Sequence, residues 1–203
     1  MIAAVLAGGK SSRIGLDKLF LKIGGRPLIS YCLEKLYKSN SIEEIVITTN
    51  LEKIKKIYYT EYKIIIDSYN VGPLGGLLTA LEKVGDVLLV GGDMPMINPS
   101  FIDILIKKYL AKRVHAYVPK WNNGLLEPLL ACYSKNAIKT IKKAIANKIF
   151  SMNKVISLMK TEWLIIDSLP KDYRVSFFNV NTWEDLNNFI SMIQRKGRDN
   201  DHY

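Results

Sequence analysis

The feature that most constrains this chain is an alternation along its first half. Short apolar runs take turns with segments of helical spacing. Residues 2–6, 45–49, 63–66 and 87–90 are the short runs, and most are rich in β-branched side chains, as strands are. Residues 28–36, 51–58 and 74–84 have the spacing of helices. Pro27 suits the first turn of the first of these. A further helix is expected from Asn98–Pro99 to about Leu110, with Asn98 as its cap and Pro99 at its first helical position. Strands without internal polar alternation are buried on both faces. The order therefore predicts an α/β fold of three layers, a doubly wound and mostly parallel sheet covered by helices. Such sheets bind ligands beyond the carboxyl ends of their strands.

The second half has a different rhythm. Residues 116–118 and 129–133 read as strands, with a turn signal at Trp121-Asn122-Asn123-Gly124 between them. Residues 136–146 and 151–159 read as helices, 163–166 and 175–180 as strands, and 182–193 as a closing helix. Thr182 followed by Asp185 resembles a capping box, with Asp in place of the usual Glu or Gln. No linker or internal repeat divides the chain. One domain is expected over residues 1–194, with a nucleotide-binding half (1–112) and an acceptor-side half (113–194). Residues 195–203 read as a polar tail without periodicity.

Bulk properties narrow the partners. The 203 residues suit one domain with a sizeable core, and 48% hydrophobic with 24% charged residues is an ordinary globular balance. A net charge of +10 is compatible with nucleic acid, an anionic membrane surface or a polyanionic small substrate. Much of the excess sits at Lys53, Lys55, Lys56, Lys107, Lys108, Lys139, Lys142 and Lys143, in helix-like stretches where lysine solvates an outer face. The chain has no nucleic-acid reading motif and no basic arm with interleaved aromatics, so no nucleic-acid partner is expected. No apolar run approaches membrane-spanning length, and residues 1–6 are too short for a signal peptide. Cys32 and Cys132 are too far apart for a metal-ligand pair and read as buried free thiols. A cytoplasmic protein follows as the expectation, without membrane association.

The most informative segment is Leu6-Ala7-Gly8-Gly9-Lys10-Ser11-Ser12-Arg13-Ile14-Gly15-Leu16-Asp17-Lys18. A P-loop would need a glycine at position 4, which is Ala4, and the dinucleotide fingerprint needs a glycine spacing that Gly8, Gly9 and Gly15 do not supply. What remains is a long turn after the first strand. Paired glycines let the backbone approach phosphate oxygens and turn several N–H groups toward them. Arg13 and Lys18 bring positive charge to the same loop.

This string resembles the LAGGxSxRMGxDK signature of the molybdenum cofactor guanylyltransferases. Three later segments resemble that family in order and context. They are Asp67-Ser68 with Gly72-Pro73-Leu74-Gly75-Gly76-Leu77, then Gly92-Asp93-Met94-Pro95, then Phe178-Asn179-Val180-Asn181-Thr182. The resemblance implies a single-domain, Rossmann-like nucleotidyltransferase fold. It implies GTP binding at Leu6, Ala7, Gly8, Gly9, Lys18, Asn50, Asp67, Gly72 and Asp93, Mg²⁺ on Asp93, and an acceptor site at Asn179 and Asn181. Asp93 also reads as an ordinary turn aspartate, Asp67 as a cap, and Asn50, Asn179 and Asn181 as turn formers. Ile14 stands in place of methionine and Trp183 in place of proline. Glu127-Pro128 falls where the family varies, which leaves the acceptor less defined than the nucleotide.

The implied reaction is GMP transfer from GTP to the phosphate of molybdopterin, with pyrophosphate leaving. Lys18, Arg13 and Asp93 are the expected catalytic residues. The acceptor phosphate is already a nucleophile near neutral pH, its second pKa being about 6, so no serine, cysteine or histidine is required. The competing acceptors are a cobinamide phosphate, a sugar 1-phosphate or methylerythritol phosphate. A monomer making transient contacts with cofactor-handling proteins is expected.

Overall fold

A computed structural model describes residues 1–8, 17–57 and 61–200, and for 196–200 it gives the course of the helix alone. The strands are β1 (Ile2–Leu6), β2 (Lys22–Ile23), β3 (Arg26–Pro27), β4 (Glu44–Thr49), β5 (Lys63–Ile66), β6 (Val87–Gly91), β7 (Ala116–Lys120), β8 (Leu130–Tyr133) and β9 (Thr161–Ile165). The helices are α1 (Leu28–Tyr37), α2 (Pro73–Val84), α3 (Pro99–Leu110), α4 (Ile138–Ala146), α5 (Met152–Ile156), α6 (Lys171–Arg174) and α7 (Trp183–Asn200).

Among the described residues, one large sheet runs in the order β5-β4-β1-β6-β8-β7-β9. Every neighbouring pair is parallel except those of β8, which runs antiparallel to both β6 and β7. The mostly parallel expectation holds, and β8 is its exception. The chain steps outward from β1 to β4 and β5, then returns to the other side of β1 as β6. The crevice of a doubly wound sheet opens at such a reversal, here at the carboxyl end of β1.

Side-chain alternation along each strand builds two cores. Ala3, Val5, Ile45, Ile47, Leu88 and Val90 face α1 and α3, whose Leu36, Phe101, Ile102 and Leu105 close that side. Ala4, Val46, Val87, Leu89, Ala131 and Tyr133 face α2 and α4, represented by Leu77, Leu78, Leu81 and Ile141. A third, smaller cluster packs Leu186 and Phe189 of α7 against Ile23, Leu28, Tyr31 and Val180. Tyr31 and Phe189 meet edge to face with centroids 5.0 Å apart. This last cluster ties the C-terminal helix back to α1, beside the crevice.

Helix starts follow their local chemistry. The Asn98 side chain accepts from Ser100 N at 2.9 Å, and Pro99 begins α3. Pro73 begins α2 behind Gly72, whose φ of 68° only glycine adopts without strain.

Four segments depart from their expected form. Residues 51–57 make a turn and a short 3-10 helix (Ile54–Lys56) rather than an α-helix; residues 58–60 lie outside those described. The Asn50 side chain accepts from Lys53 N at 3.1 Å and closes a local turn that competes with helix. Lys53, expected on a solvated face, instead reaches Asp17 at 2.9 Å. Residues 175–180 are not a strand: Val175–Phe177 is a 3-10 turn. Its Phe177 packs on Phe101 and Trp121, while Val180 joins the α7 cluster, so the apolar residues serve two different cores and no sheet face. The expected helix at 151–159 stops at Ile156, where Thr161 Oγ1 bonds the Ile156 carbonyl at 3.1 Å and turns the chain toward β9. The expected tail from residue 195 continues α7 as far as Asn200, because extending an anchored helix costs far less than starting one; residues 201–203 lie outside those described.

Cys32 and Cys132 are free and buried, as expected. His115 is half-buried, and its Nδ1 has no hydrogen-bond partner among the described residues. Among those residues no helix is long and apolar enough to cross a membrane.

Candidate active site

The carboxyl ends of β1, β4, β5 and β6 bring the sequence-predicted residues to one edge of the sheet. Leu6 closes β1, and its carbonyl accepts from Gly92 N at 3.1 Å. The Ala7 amide donates to Thr48 O at 2.8 Å and is therefore engaged by the sheet. Gly8 begins the loop beside Asn50, whose amide nitrogen would lie 3.8 Å from a Cβ placed on Gly8. Gly9 and Arg13 lie outside the described residues.

Lys18 begins a 3-10 turn (Lys18–Phe20) at the far end of that loop. Its ammonium donates to Asp93 Oδ2 at 2.6 Å, to the Val180 carbonyl at 2.7 Å and to Asn181 Oδ1 at 2.8 Å. An ammonium has three donors, and these three acceptors aim it. The lysine and aspartate side chains are only 13% and 18% exposed, so salt screens this pair much less than a surface ion pair. Residues from three distant parts of the chain meet at one nitrogen.

Asp93 is presented by a turn after β6 in which Met94 N donates to Gly91 O at 3.2 Å. Its main-chain carbonyl accepts from Val180 N at 2.9 Å, so the Asp93 backbone and the Lys18 side chain both grip the 180–181 segment. Oδ1 has no hydrogen-bond partner among the described residues, and no group of three His, Cys, Asp or Glu side chains gathers there to hold a metal. One carboxylate oxygen open to a cation fits Mg²⁺, which is commonly held by one or two carboxylates with phosphate oxygens and water completing its shell.

Asn181 is fixed from behind. Its amide and that of Thr182 donate to Asp185 Oδ2 at 2.9 and 2.8 Å, and Asp185 N donates back to Thr182 Oγ1 at 3.1 Å. This is the capping box read from the sequence, working with Asp. Burial works to raise the Asp185 carboxyl, but these donors and the nearby Lys18 charge outweigh it and hold it below the usual range. Asn179 behaves differently: its side-chain amide donates to Phe177 O at 3.0 Å, within its own turn.

On the other flank Asp67 closes β5. Its Oδ1 accepts from Tyr69 N at 2.9 Å and from Thr79 Oγ1 at 3.2 Å. The N-terminus of α2 comes so close that a Cβ on Gly75 would lie 2.9 Å from Asp67 Oδ2 and 3.2 Å from Tyr69 Cβ. Glycine there keeps the carboxylate where it is. Sequence reasoning missed Thr79, which carries no signal beyond its helix position. It also missed Asp17 as the partner of Lys53 and Lys56 at 2.9 and 3.1 Å, although Asp17 precedes Lys18 in the motif.

What gathers at this edge is a cation, two carboxylates and side-chain amides beside glycine turns. These groups can hold and orient phosphates, whose own oxygens then react, and that is the chemistry of a nucleotidyltransferase on a doubly wound α/β sheet. Comparison with known proteins agrees. Residues 3–160 match the MobA-like NTP transferase domain, and the chain belongs to that family. A "Probable molybdenum cofactor guanylyltransferase" of Thermococcus sibiricus is 41% identical over 194 residues, covering 96% of this chain and 100% of its own length. A protein of the same description from Pyrococcus horikoshii is 43% identical, covering 92% of this chain and 97% of its own. The crystal structure of molybdopterin-guanine dinucleotide biosynthesis protein A from Archaeoglobus fulgidus superposes with a TM-score of 0.85 at 28% identity, covering 96% of this chain and all of that one.

Proposed function

We propose that this chain transfers GMP from GTP to the phosphate of molybdopterin, releasing pyrophosphate and forming molybdopterin guanine dinucleotide. The observation that carries the reading is the contact of Lys18 Nζ with Asp93 Oδ2 at 2.6 Å, which unites the loop after β1 with the turn after β6. The resemblance of the relatives, named for this activity, supports it.

In the reaction an acceptor phosphate oxygen attacks the α-phosphorus of GTP. A new P–O bond forms, and the bond to the β-phosphate oxygen breaks with its electron pair leaving on pyrophosphate. Lys18 supplies fixed positive charge against the repulsion between two anions, with Arg13 and the amides of Gly8 and Gly9 as the other phosphate contacts. Asp93 is the residue that would hold Mg²⁺, which when bound offsets phosphate charge. Asp67 offers Oδ2 to the paired N–H donors of guanine, with Asn50 and Gly72 beside it. Leu6 and Ala7 contribute surface under the nucleotide, since the Ala7 amide is held by the sheet. Asn181, and Asn179 once freed from Phe177, serve the acceptor. Residues 1–112 thus carry the nucleotide and 113–194 the acceptor, in a monomer acting in the cytoplasm.

Heat protection tests the nucleotide. A ligand at 100 times its Kd adds about 2.7 kcal/mol to the folded state. GTP with Mg²⁺ is expected to raise the melting midpoint well above the effect of CTP, UTP or ATP. Equal protection by all four would remove the guanine reading.

A further inference from the structure

Glu127 lies on the turn between β7 and β8. Its amide donates to Pro119 O at 2.9 Å, and an isolated bridge pairs Lys120 with Leu126, so the turn prolongs β7 beyond the carboxyl edge of the sheet. Leu130 N donates back to Glu127 O at 3.3 Å, and Leu129 O accepts from Gly91 N at 2.8 Å, two residues before Asp93. A second route leads the same way. Glu127 Oε1 accepts from Trp121 Nε1 at 2.8 Å, Trp121 packs on Phe177 with centroids 5.8 Å apart, and the Phe177 carbonyl holds Asn179. Glu127 therefore lies at the same carboxyl edge of the sheet as Asp93, on the β8 side of β6. Asp67 and Asn50 stand on the opposite side, at β5 and β4.

Glu127 is half-buried, and burial raises its carboxyl above the usual range against the pull of the Trp121 hydrogen bond. Among the described residues Oε2 has no hydrogen-bond partner. A half-buried carboxylate with one neutral donor is short of donors. A phosphate cannot supply them, because anion would face anion. Whatever part of the acceptor reaches Glu127 must bear donors and carry no negative charge.

We infer that Glu127 is a specificity-determining residue for the acceptor, taking the paired N–H donors of its amino-oxo-pyrimidine edge while Trp121 holds the carboxylate in place. This rests on the proposed function, in which the acceptor is a phosphorylated pterin. Its 2-amino group and adjacent ring N–H form two parallel donors that match a carboxylate. Asp67 and Glu127 then do the same work at opposite ends of the edge, one for guanine and one for pterin, with the phosphates meeting between them at Lys18.

Glu127→Gln separates recognition from structure: its carbonyl can keep the Trp121 bond while an amino donor replaces Oε2. Steady-state kinetics with GTP and molybdopterin should show KM for molybdopterin raised at least about tenfold, the scale of one lost charge-assisted hydrogen bond. The KM for GTP should stay within about twofold and the melting midpoint should not move. Glu127→Asp, which keeps the charge, should recover part of the loss, and it carries the test should the Gln variant fold poorly. A molybdopterin KM within about twofold of the original in the variants that fold, or a rise shared equally by GTP, would overturn the inference. GMP transfer by the unmodified protein is measured first. Its absence removes the proposed function and this inference together, whereas transfer with an unaffected Glu127→Gln removes the inference alone.

Discussion

The Lys18 ammonium sits among three acceptors, and each has a different origin: a carboxylate after β6, a main-chain carbonyl and a side-chain amide before α7. Removing it leaves Asp93 mostly buried without its cation, yet the 180–181 segment stays tied through Val180 N to Asp93 O. Lys18→Ala should therefore fold, and should lose GMP transfer by at least about 10²–10³, the usual cost of one transition-state donor; near-normal turnover would take the lysine out of the mechanism. Asp93→Asn should abolish the dependence on divalent ion, and an unchanged metal titration would contradict that. Gly75→Ala tests the guanine side, since its Cβ would press on Asp67 and Tyr69. Its KM for GTP should rise severalfold with little change in KM for molybdopterin. Lys18, Asp93 and Asn181, which the structure brings together, could be singled out in the sequence because the motifs that contain them are contiguous strings. The capture of Asn179 by Phe177 O was not, because it depends on a turn whose form is set by where Phe177 packs.

At the level of elements, α7 shows how a local signal and a distant site are linked. Thr182 and Asp185 cap the helix and in the same stroke fix Asn181 against Lys18. Thr182→Ala should cost about 1 kcal/mol, the ordinary value of a lost cap, and should be read as a lower unfolding midpoint. Asp185 adds a pH test. Its folded pKa is depressed, so its contribution is complete above the ordinary aspartate pKa of about 3.9 and fades as pH falls through the lower folded value. The stability gap between the unmodified protein and Asp185→Asn should shrink below about pH 4 and stay constant above it; a gap independent of pH would contradict the capping role. The capping box could be read from spacing alone. The segment at 175–180 could not, because its apolar residues divide between two cores, and a pattern shared between two partners has no single period. The turn at 51–57 was hidden for a different reason, since the Asn50 side chain and the Asp17 ion pairs override a helical spacing.

For the whole molecule, the places of β1, β4, β5 and β6 along the chain were legible because fully buried parallel strands leave an uninterrupted apolar signature, whereas their order in the sheet was not. The reversal of β8 was not, because antiparallel and parallel strands buried on both faces look alike in sequence. That reversal brings Glu127 and Trp121 to the same edge as Asp93, on strands other than those that carry Asp67 and Asn50. The Lys18 ammonium joins Asp93 to the 180–181 segment, and the account stands on what happens there. The most direct measurement is pyrophosphate release with molybdopterin and each of the four nucleoside triphosphates in turn, with the dinucleotide product identified. Release is predicted only when GTP and molybdopterin are both present, one pyrophosphate for each dinucleotide formed. Release with GTP alone, or at equal rates with every triphosphate, would contradict the account.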